Sequence, residues 1–473
     1  MSDFIPLVHE LQPPPEPETV FLQLCRRPHC LFLDSALREP QLGRYSFVTA
    51  DPVEYLQISA DGSDAIAELG RRWDGYTAAT ASGMPPFQGG AAGLFSYDLN
   101  RSLERIASPR FDEFQVPALA VGLYDWVVAF DHQEHRAWVI SQGFPERDPA
   151  RRRQRAAERL TECLRWLEEP QRSSSRLTER QAEQADRLPA GLLAPEYPVP
   201  GPDGLRSNFT AEAFRSVIRR AVDYIYAGDV FQVNLAQRLL YPAWDDAVAL
   251  YLRLRSRNPA PFAGYFDLGQ FQIVSASPER FLSVRDRGVE TRPIKGTRER
   301  TLQTEADRVA GNELLESEKD RAENVMIVDL LRNDLSRVCR PESVRVTQFC
   351  QLEVYQYVQH LVSAVCGELD EDRTALDLLR AAFPGGSVTG APKVRAMEII
   401  AELEPTARGP YCGALGYLGF DGALDLSILI RTITAGKGWW QLPVGGGIVA
   451  QSTPQREYEE TWHKATGLLK ALR

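Results

Sequence analysis

Two pairs of acidic residues, Asp320 with Glu323 and Glu457 with Glu460, stand three positions apart in stretches of helical character. Residues at this spacing share one helix face, so each helix can present two carboxylates together. Two such helices facing each other would supply the oxygen ligands that Mg²⁺ prefers, since this ion binds few protein carboxylates and keeps water and substrate oxygens. A solvated surface of ordinary ion pairs is the alternative, because basic residues lie close to both acidic pairs.

A lysine and a glutamate could carry nucleophilic and acid–base chemistry. Lys295 stands in the run RPIKGTRER between Arg292 and Arg298, where crowded positive charge favours a neutral, nucleophilic amine. Glu279, in the run SASPERF, could act as a general acid or base in a dry site. Taken alone, each of the two is more often an ordinary surface or salt-bridged residue. His360 lies in an apolar stretch, which is more typical of a hydrogen-bonded core histidine.

Two glycine-rich segments could hold an anion through exposed backbone N–H groups. The run PGGSVTGAPK, residues 384–393, precedes a predicted helix, and three glycines at 445–447 precede a predicted strand. As isolated segments, both are more often simple turns. The first is not a P-loop, because it lacks the Gly-Lys-Ser/Thr triplet and Pro392 stands before its lysine. A nucleotide-phosphate enzyme is therefore not indicated.

These residues need a scaffold, and the sequence predicts one that mixes helices with strands. Thr210 is a suitable N-cap for a helix whose apolar residues recur three and four positions apart. Residues 230–235 alternate apolar and amide side chains, which predicts a half-buried strand. Further helices are expected at 306–335, 374–383, 394–403 and 457–472, and further strands at 272–276, 413–420, 427–434 and 447–450. The fold class is therefore α/β or α+β.

One stretch divides the chain. Residues 168–207 are rich in Pro, Ser, Gly and charge, which predicts an exposed connector. Residues 1–167 contain strand-like runs and one helical stretch, and are predicted to form an N-terminal, sheet-rich subdomain. Residues 208–473 contain every candidate named above and are predicted to form the catalytic domain.

Composition narrows the classes of function. Among 473 residues, 54 Lys and Arg stand against 64 Asp and Glu, a net charge of −10, which argues against coating nucleic acid or an anionic membrane. A basic pocket for a small anion remains compatible with this balance. No apolar stretch approaches the roughly 18 residues of a membrane span, and the first residues lack signal-peptide features. Seven scattered cysteines without CxxC spacing predict neither disulfides nor a zinc site, which favours a cytoplasmic location.

The segments after residue 205 resemble those of the chorismate-utilising enzymes, which include anthranilate, aminodeoxychorismate, isochorismate and salicylate synthases. The matching runs stand in family order over more than half of the chain, and they are GDVFQVNLAQR, SASPERF, RPIKGTRER, EKDRAENVMIVDLLRNDL, QHLVSAVCGEL, FPGGSVTGAPKVRAMEII, YCGALGYLGFDG, ILIRT and VGGGIVAQSTPQREYEET. The resemblance implies a large α/β (α+β) sandwich like anthranilate synthase component I. Two stacked sheets flanked by helices would hold the active site in a cleft between the halves.

The resemblance also distinguishes the branches of the family. Anthranilate synthases carry Ala at the position of Lys295, whereas aminodeoxychorismate synthases carry Lys; isochorismate- and salicylate-forming members place a water-activating lysine where this chain has Gln232. The chain is thus most similar to the branch that aminates chorismate at C4 with ammonia, giving 4-amino-4-deoxychorismate for p-aminobenzoate and folate biosynthesis. Anthranilate synthase component I, which converts chorismate to anthranilate plus pyruvate, is the alternative. A non-catalytic binding subunit is disfavoured, because a pure binder needs no nucleophile.

The family's chemistry can be assigned to residues of this chain by resemblance. Lys295 would attack C2 and form a covalent adduct, while Glu279 would protonate the C4 hydroxyl as it leaves. The enzyme would be a Mg²⁺-dependent transferase. Its metal ligands would be Glu323 and Glu460, with Asp320 and Glu457 near the metal or its waters. The residues implied to bind substrate are His360, Thr389, Tyr417, Arg431, Gly446, Gly447 and Lys464.

The resemblance further implies a partner and a second pocket. The chain carries no convincing amidotransferase cysteine motif, so ammonia would come from a separate glutamine amidotransferase subunit, in a heterodimer that could be transient. No nucleic-acid or membrane partner is expected. The N-terminal half resembles the region that forms a tryptophan pocket in related enzymes, and the residues implied there are Ser35, Pro261 and Phe262. Phe262 stands where relatives often have Tyr.

Overall fold

The computed structural model describes residues 4–38, 42–169, 187–300, 303–354 and 358–473. The strands in chain order are β1 (Leu7–Glu10), β2 (Leu31–Asp34), β3 (Tyr45–Thr49), β4 (Glu54–Ile58), β5 (Gly90–Phe95), β6 (Leu119–Tyr124), β7 (Trp126–Asp131), β8 (Arg136–Ser141), β9 (Tyr197–Pro198), β10 (Arg206–Ser207), β11 (Gln232–Pro242), β12 (Phe262–Asp267), β13 (Phe271–Ser277), β14 (Arg280–Arg285), β15 (Gly288–Thr291), β16 (Ile294–Glu299), β17 (Arg345–Val354), β18 (Val358–Glu368), β19 (Gly390–Ala391), β20 (Ala414–Gly419), β21 (Leu424–Ile428), β22 (Thr432–Gly436) and β23 (Trp439–Ile448). The α-helices are α1 (Pro17–Leu24), α2 (Ala65–Trp73), α3 (Pro149–Glu168), α4 (Ala211–Tyr226), α5 (Ala247–Arg257), α6 (Thr304–Glu316), α7 (Glu318–Ser336), α8 (Ala375–Ala382), α9 (Lys393–Leu403) and α10 (Pro454–Ala471).

Two large antiparallel sheets pack face to face. The first runs β1-β8-β7-β3-β2-β12-β13-β22-β23-β11-β10-β9, with β19 also paired to β11, and the second runs β16-β18-β15-β14-β21-β20-β5-β6-β4, with β17 paired to β18. One core cluster joins Phe266 and Ile273 of the first sheet to Leu94 and Leu415 of the second. This arrangement confirms the predicted two-sheet sandwich.

Helices cover the outer face of each sheet. Leu250 of α5 and Leu468 of α10 pack in one buried cluster with Trp440 of the first sheet. Ile327 of α7 packs in another with Leu426 of the second sheet. Burying an aliphatic side chain of this size stabilises the fold by about 2 kcal/mol, so these apolar helix faces hold the layers together. Within the described residues, no helix combines the length and apolarity needed to cross a bilayer.

Both sheets contain strands from each side of the predicted connector. In the first sheet β2 pairs with β12, with Phe32 opposite Tyr265. In the second, β5 pairs with β20, with Leu94 opposite Leu415. The N-terminal and C-terminal stretches therefore share both sheets and contribute together to the large buried clusters.

Part of the expected exposed connector is packed against the sheet. Residues 170–186 lie outside the described residues, but β9 and β10 extend the first sheet beyond β11. Leu205 is buried, and the buried carboxylate of Glu196 accepts a hydrogen bond from Arg238 Nη2 at 2.6 Å. Most of residues 187–207 are exposed as expected, whereas Ala194, Leu205 and Ser207 are buried, so the described part of the connector is not exposed throughout.

Local predictions met different outcomes. The helix beginning after Thr210 is confirmed, with the Thr210 side chain accepting from the Ala213 N–H. The single helix expected over 306–335 is instead two, because Ser317 caps α7 by accepting from the Asp320 N–H and thereby ends α6. The expected half-buried strand is longer and is buried on both faces over most of β11, since the sandwich covers both sides of that strand.

Candidate active site

A β-bulge sets the position of Lys295. The pairing of β16 with β18 shifts register between Lys295 and Thr297, around Gly296, which has φ +74°. A Cβ atom at Gly296 would lie 2.6 Å from Leu314 and 3.1 Å from the carboxyl carbon of Asp320. Only glycine combines this positive φ with the absence of a side chain that the close neighbours require. The bulge can therefore turn the side chain of the adjacent Lys295 away from its regular strand direction.

Ser387 joins the predicted nucleophile to the predicted acid. Lys295 Nζ donates to the Ser387 carbonyl at 3.1 Å, and the Ser387 hydroxyl donates to Glu279 Oε1 at 2.8 Å. Burial raises the pKa of Glu279, while Lys295, the Ser387 hydroxyl and Arg431 act in the opposite direction. The structure thus brings together an amine, a buried carboxyl group and a hydroxyl.

His360 and Arg431 border the same site. His360 lies on β18 opposite Thr297, at the bulge. Burial, with the positive charge of Arg431 as the next cause, lowers the pKa of His360 to about 4, so its ring is neutral near pH 7. Arg431 has φ +51° and its carbonyl accepts from the Ala276 N–H at 3.1 Å. Its guanidinium adds positive charge beside both His360 and Glu279.

The glycine-rich segment 385–391 forms a tight loop beside β11. The Thr389 hydroxyl donates to the Gly385 carbonyl at 2.9 Å, which closes the loop on itself. The Thr389 carbonyl accepts from the Asn234 N–H at 2.7 Å, which ties the loop to β11. The hydroxyl proton of Thr389 is therefore used within the loop, and the hydroxyl of Ser387 is the one directed to Glu279.

A second polar cluster surrounds Gly446 on β23. Lys464 Nζ bonds Glu460 Oε1 at 2.7 Å and the Gly445 carbonyl at 2.9 Å. A Cβ at Gly446 would lie 3.3 Å from Glu460 Oε1, 3.4 Å from Lys464 Nζ and 3.7 Å from Glu457 Oε2. Because Gly446 has no side chain, two carboxylates and one ammonium can approach the backbone at this position.

Strand β11 connects the two clusters. On one side, Gln232 and Val233 pair with β19, at the end of the loop that carries Ser387. On the other side, Asn234 stands opposite Gly447 and Leu235 opposite Gly446. The side chain of Gln232 lies against Gly447, where a Cβ atom would be 2.3 Å from Nε2. The sheet therefore places the serine loop and the glycine strand on either side of one buried strand.

The acidic residues predicted to hold Mg²⁺ are only partly brought together. Glu457 and Glu460 converge at Gly446, whereas Asp320 of α7 lies at Gly296, next to Lys295. Glu323 is half-buried on the next turn of α7. The described part of the chain holds no group of three or more His, Cys, Asp or Glu side chains placed for a metal. Mg²⁺ needs only one or two protein carboxylates beside water and substrate oxygens, so the Glu457–Glu460 pair fits such an ion. That the two acidic helices face each other stays a prediction.

A separate cavity of about 310 Å³ is lined by all three residues predicted for a tryptophan pocket, Ser35, Pro261 and Phe262. Tyr417, predicted to help bind the substrate, also lines this cavity and stacks on Phe87 with ring centroids 4.5 Å apart. The structure thus groups Tyr417 with this cavity, together with its β20 neighbours Leu415 and Gly416.

Ser387 is the residue of this site that sequence reasoning missed. It stands in the run FPGGSVTGAPK, between the two glycines and Thr389, so the signal was its place in a glycine-rich turn before a helix. A serine in such a turn has no helical or strand periodicity that would show where its hydroxyl points.

Comparison with known proteins places this chain in a family. A family model described as chorismate binding enzyme matches residues 41–470. Curated relatives include anthranilate synthase component 1 of Thermus thermophilus, 44% identical over 82% of this chain and 78% of its own length. Another is aminodeoxychorismate synthase component 1 of Escherichia coli, 38% identical over 96% of both chains. The crystal structure of anthranilate synthase component I from Streptococcus pneumoniae TIGR4 superposes with a TM-score of 0.75 at 31% identity, covering 91% of this chain and 93% of that one.

Proposed function

Because this chain belongs to the family of chorismate-binding enzymes, we propose that it aminates chorismate at C4 with ammonia, giving 4-amino-4-deoxychorismate and water. One observation carries the proposal: Ser387 bridges the amine of Lys295 and the buried carboxyl group of Glu279. A nucleophile and an acid held at one point suit a substitution in which a poor leaving group must be protonated. A protein that only bound chorismate would need neither.

The bonds and protons balance over two displacements. Lys295 Nζ forms a bond to C2 while the ring double bonds shift and the C4–O bond breaks. Glu279 gives its proton to the departing hydroxyl, which leaves as water. Ammonia then bonds to C4, the double bonds shift back, and the C2–N bond to Lys295 breaks. The surplus proton of the new ammonium group returns to Glu279, which restores the acid.

Burial gives Glu279 the protonation state that the first displacement needs. Its pKa is raised, chiefly by burial, so a larger fraction carries a proton near neutral pH than for an exposed glutamate. The Ser387 hydroxyl and the positive charge of Arg431 limit that rise. A raised pKa suits a group that must first give a proton and later take one back.

Chorismate is a dianion, and each of the two polar clusters of the proposed site contains a cation. Arg431 lies near His360 and Glu279, while Lys464 lies at Gly445 and Gly446. We assign the clamp on the enolpyruvyl carboxylate to Arg431, Lys464 and the backbone N–H groups around Gly446 and Gly447. The charge of the whole chain, −10, does not oppose this, because binding depends on local charge.

Magnesium completes the proposal. When bound, it would act as a Lewis acid toward the ring carboxylate, held by Glu323 and Glu460 with Asp320 and Glu457 beside it or its waters. The ammonia would come from a separate glutamine amidotransferase subunit. The relatives' designation as component 1 supports a multi-component enzyme.

A product assay tests the reaction. The purified chain is incubated with chorismate, Mg²⁺ and excess ammonium at mildly alkaline pH, and the products are read by liquid chromatography–mass spectrometry. We expect a species that keeps the enolpyruvyl group and carries NH₂ in place of OH, which an added lyase converts to p-aminobenzoate. Chorismate that binds but is never consumed would overturn the enzymatic proposal.

Anthranilate synthesis is the second candidate, favoured by the 44% identity to the Thermus thermophilus relative. It would place nitrogen at C2 and release pyruvate. Anthranilate plus pyruvate in the same assay would establish this alternative and would contradict the role proposed for Lys295.

A further inference from the structure

A buried ion pair lies directly behind the serine loop. The side chain of Arg408 is only 3% exposed and that of Glu404 only 6%. Arg408 Nε donates to Glu404 Oε2 at 2.8 Å, and Arg408 Nη2 donates to Glu404 Oε1 at 2.6 Å. The guanidinium also stacks over the ring of Tyr97, 4.6 Å from its centroid. This two-point pairing fixes the plane of the guanidinium.

The remaining donors of Arg408 reach two backbone carbonyls at the active site. Nη1 donates to the Val388 carbonyl at 3.1 Å, and Nη2 donates to the Asn234 carbonyl at 2.9 Å. Val388 lies between Ser387 and Thr389 in the loop. Asn234 lies on β11 and itself donates to the Thr389 carbonyl at 2.7 Å. One side chain therefore binds both the loop and the strand beside it.

Glu404 adds a second attachment to the same strand. Its Oε1 accepts from the Ala236 N–H at 2.8 Å, two residues beyond Asn234. Arg408 and Glu404, called here the Arg408–Glu404 clamp, thus contact β11 at two places and the loop at one. Two charges buried this deeply cost free energy unless each is paired and hydrogen-bonded, and the clamp meets that condition with backbone groups of the site.

We infer that Arg408 is a positioning residue for the reaction, because it orients the Ser387 segment that holds Lys295 and Glu279. The inference rests on the proposed function and deepens it. Ser387 uses its carbonyl for Lys295 and its hydroxyl for Glu279, so a shift of residue 387 as a whole would displace both contacts at once. Arg408 bonds the neighbouring Val388 carbonyl, the Asn234 carbonyl and the Glu404 carboxylate, so it acts on the lysine and Glu279 only through the loop.

The Arg408→Lys variant tests the inference. Lysine keeps the charge but cannot pair with Glu404 at two points while reaching two carbonyls in the plane of the guanidinium. We expect kcat for chorismate consumption to fall about 10- to 100-fold, as for a small misplacement of reacting groups, with the KM for chorismate changing less than about threefold. Amide hydrogen exchange, read by mass spectrometry on peptides covering 385–391, should accelerate in the folded variant.

Two further variants make the result specific. Arg159→Lys changes an arginine of α3 that is similarly buried, with a side chain 4% exposed and ion pairs to Asp51 and Glu162. This variant should lower thermal stability without changing kcat or hydrogen exchange in the loop. Glu404→Gln keeps the shape of the clamp and removes its negative charge. In Glu404→Gln we expect kcat to fall and loop exchange to accelerate, each by less than in Arg408→Lys. This variant replaces Arg408→Lys in the test if that protein does not fold.

The outcomes separate this inference from the proposed function. A folded Arg408→Lys protein with wild-type kcat, or with lost turnover but unchanged exchange at 385–391, would overturn the positioning role. Equal losses in Arg159→Lys would also overturn it. If the wild-type chain forms anthranilate, the C4 proposal fails, but kcat for that product and loop exchange still decide the role of Arg408.

Discussion

At the residue scale, three side chains from distant parts of the sequence converge through short polar contacts. Glu279 and Lys295 lie 16 positions apart, whereas Ser387 comes from a loop after α8. Glu279 is buried, so a charge on it is costly and its raised pKa follows from that cost. Ser387 is the group that couples the protonation of Glu279 to the position of Lys295.

Removing the amine of Lys295 should remove the covalent step. In Lys295→Ala we expect turnover to 4-amino-4-deoxychorismate to fall by at least about 100-fold, or the remaining product to carry nitrogen at C2, because no nucleophile is left to occupy that carbon. Products are quantified by liquid chromatography–mass spectrometry. Lys470→Ala, at an exposed position of α10, is the control and should behave as wild type. Unchanged rate and product in Lys295→Ala would contradict the adduct.

Removing the Ser387 hydroxyl should change the pH dependence of the reaction. The hydroxyl lowers the pKa of Glu279, so Ser387→Ala should raise that pKa further. A general acid works while protonated, so the limb on which kcat falls with rising pH should move to higher pH, with kcat about 10-fold lower. Lys295 and Arg431 also face Glu279 and are retained in this variant.

The measurement is kcat against pH at saturating chorismate, with the concentration of free ammonia held constant. Ser336→Ala, at the exposed end of α7, serves as the control. A profile that coincides with that of the wild type would show that the hydroxyl does not govern Glu279.

At the element scale, irregularities within regular strands and helices create the site. The bulge in β16 re-aims Lys295, the break between α6 and α7 places Asp320 in a first helical turn, and the glycines of β23 admit Glu460 and Lys464. The bulge departs from regular pairing and Ser317 interrupts helical continuation, whereas the glycines of β23 keep regular pairing and leave room for the polar side chains. Bulges of this kind commonly stand next to functional sites.

The bulge predicts a large effect of a small substitution. In Gly296→Ala the new methyl group must displace Leu314 or Asp320, so kcat should fall at least about 10-fold as Lys295 moves. Gly228→Ala is the matched control, because Gly228 also has positive φ, at +85°, but open space around it. Both should lose about 1 kcal/mol of stability from backbone strain, and the kcat loss should appear only in Gly296→Ala. Equal activity of the two variants would contradict the steric role of Gly296.

At the scale of the whole molecule, two sheets shared by both halves hold the site and the neighbouring cavity in one framework. Ser35 directly follows β2, Phe262 begins the adjacent strand β12 of the first sheet, and Tyr417 comes from β20 of the second. The cavity therefore lies where the two sheets meet. A ligand bound there would contact both layers.

Sharing of the sheets predicts that the halves cannot fold apart. Residues 187–473 expressed alone should aggregate and show no cooperative thermal unfolding by circular dichroism, because β12 and β20 would lose β2 and β5 and expose apolar edges. Co-expression with residues 1–169 should restore a cooperative transition and chorismate turnover. A cooperative, active 187–473 fragment would show instead that the sequence boundary is also a structural one.

We propose that the cavity near Ser35 binds tryptophan. A change in thermal stability on adding L-tryptophan tests this. Its volume of about 310 Å³ is that of a small-ligand pocket, with aromatic walls and the charged pair Arg280–Asp425. L-tryptophan at about 100 times its Kd should stabilise the fold by about 2.7 kcal/mol and raise the thermal midpoint. Ser35→Leu, which fills the cavity, should abolish the shift. No shift with millimolar tryptophan would contradict the pocket's assignment.

Sequence motifs were enough to identify the family and the two-sheet fold class. Motifs and periodicity are local properties, and they also predicted the Thr210 cap, while the roles of Lys295 and Glu279 stay predictions. The residues predicted for the second pocket also line one cavity.

Tertiary structure alone decided which of these residues meet. The Ser387 bridge, the placement of Tyr417 in the cavity wall and the attachment of Arg408 to the loop depend on contacts between segments far apart in the chain. Neither the break at Ser317 nor the burial of Leu205 follows from periodicity, because a side-chain cap and the edge pairing of β10 with β11 override local preference. Side-chain direction and long-range pairing are set by packing, which no local spacing encodes.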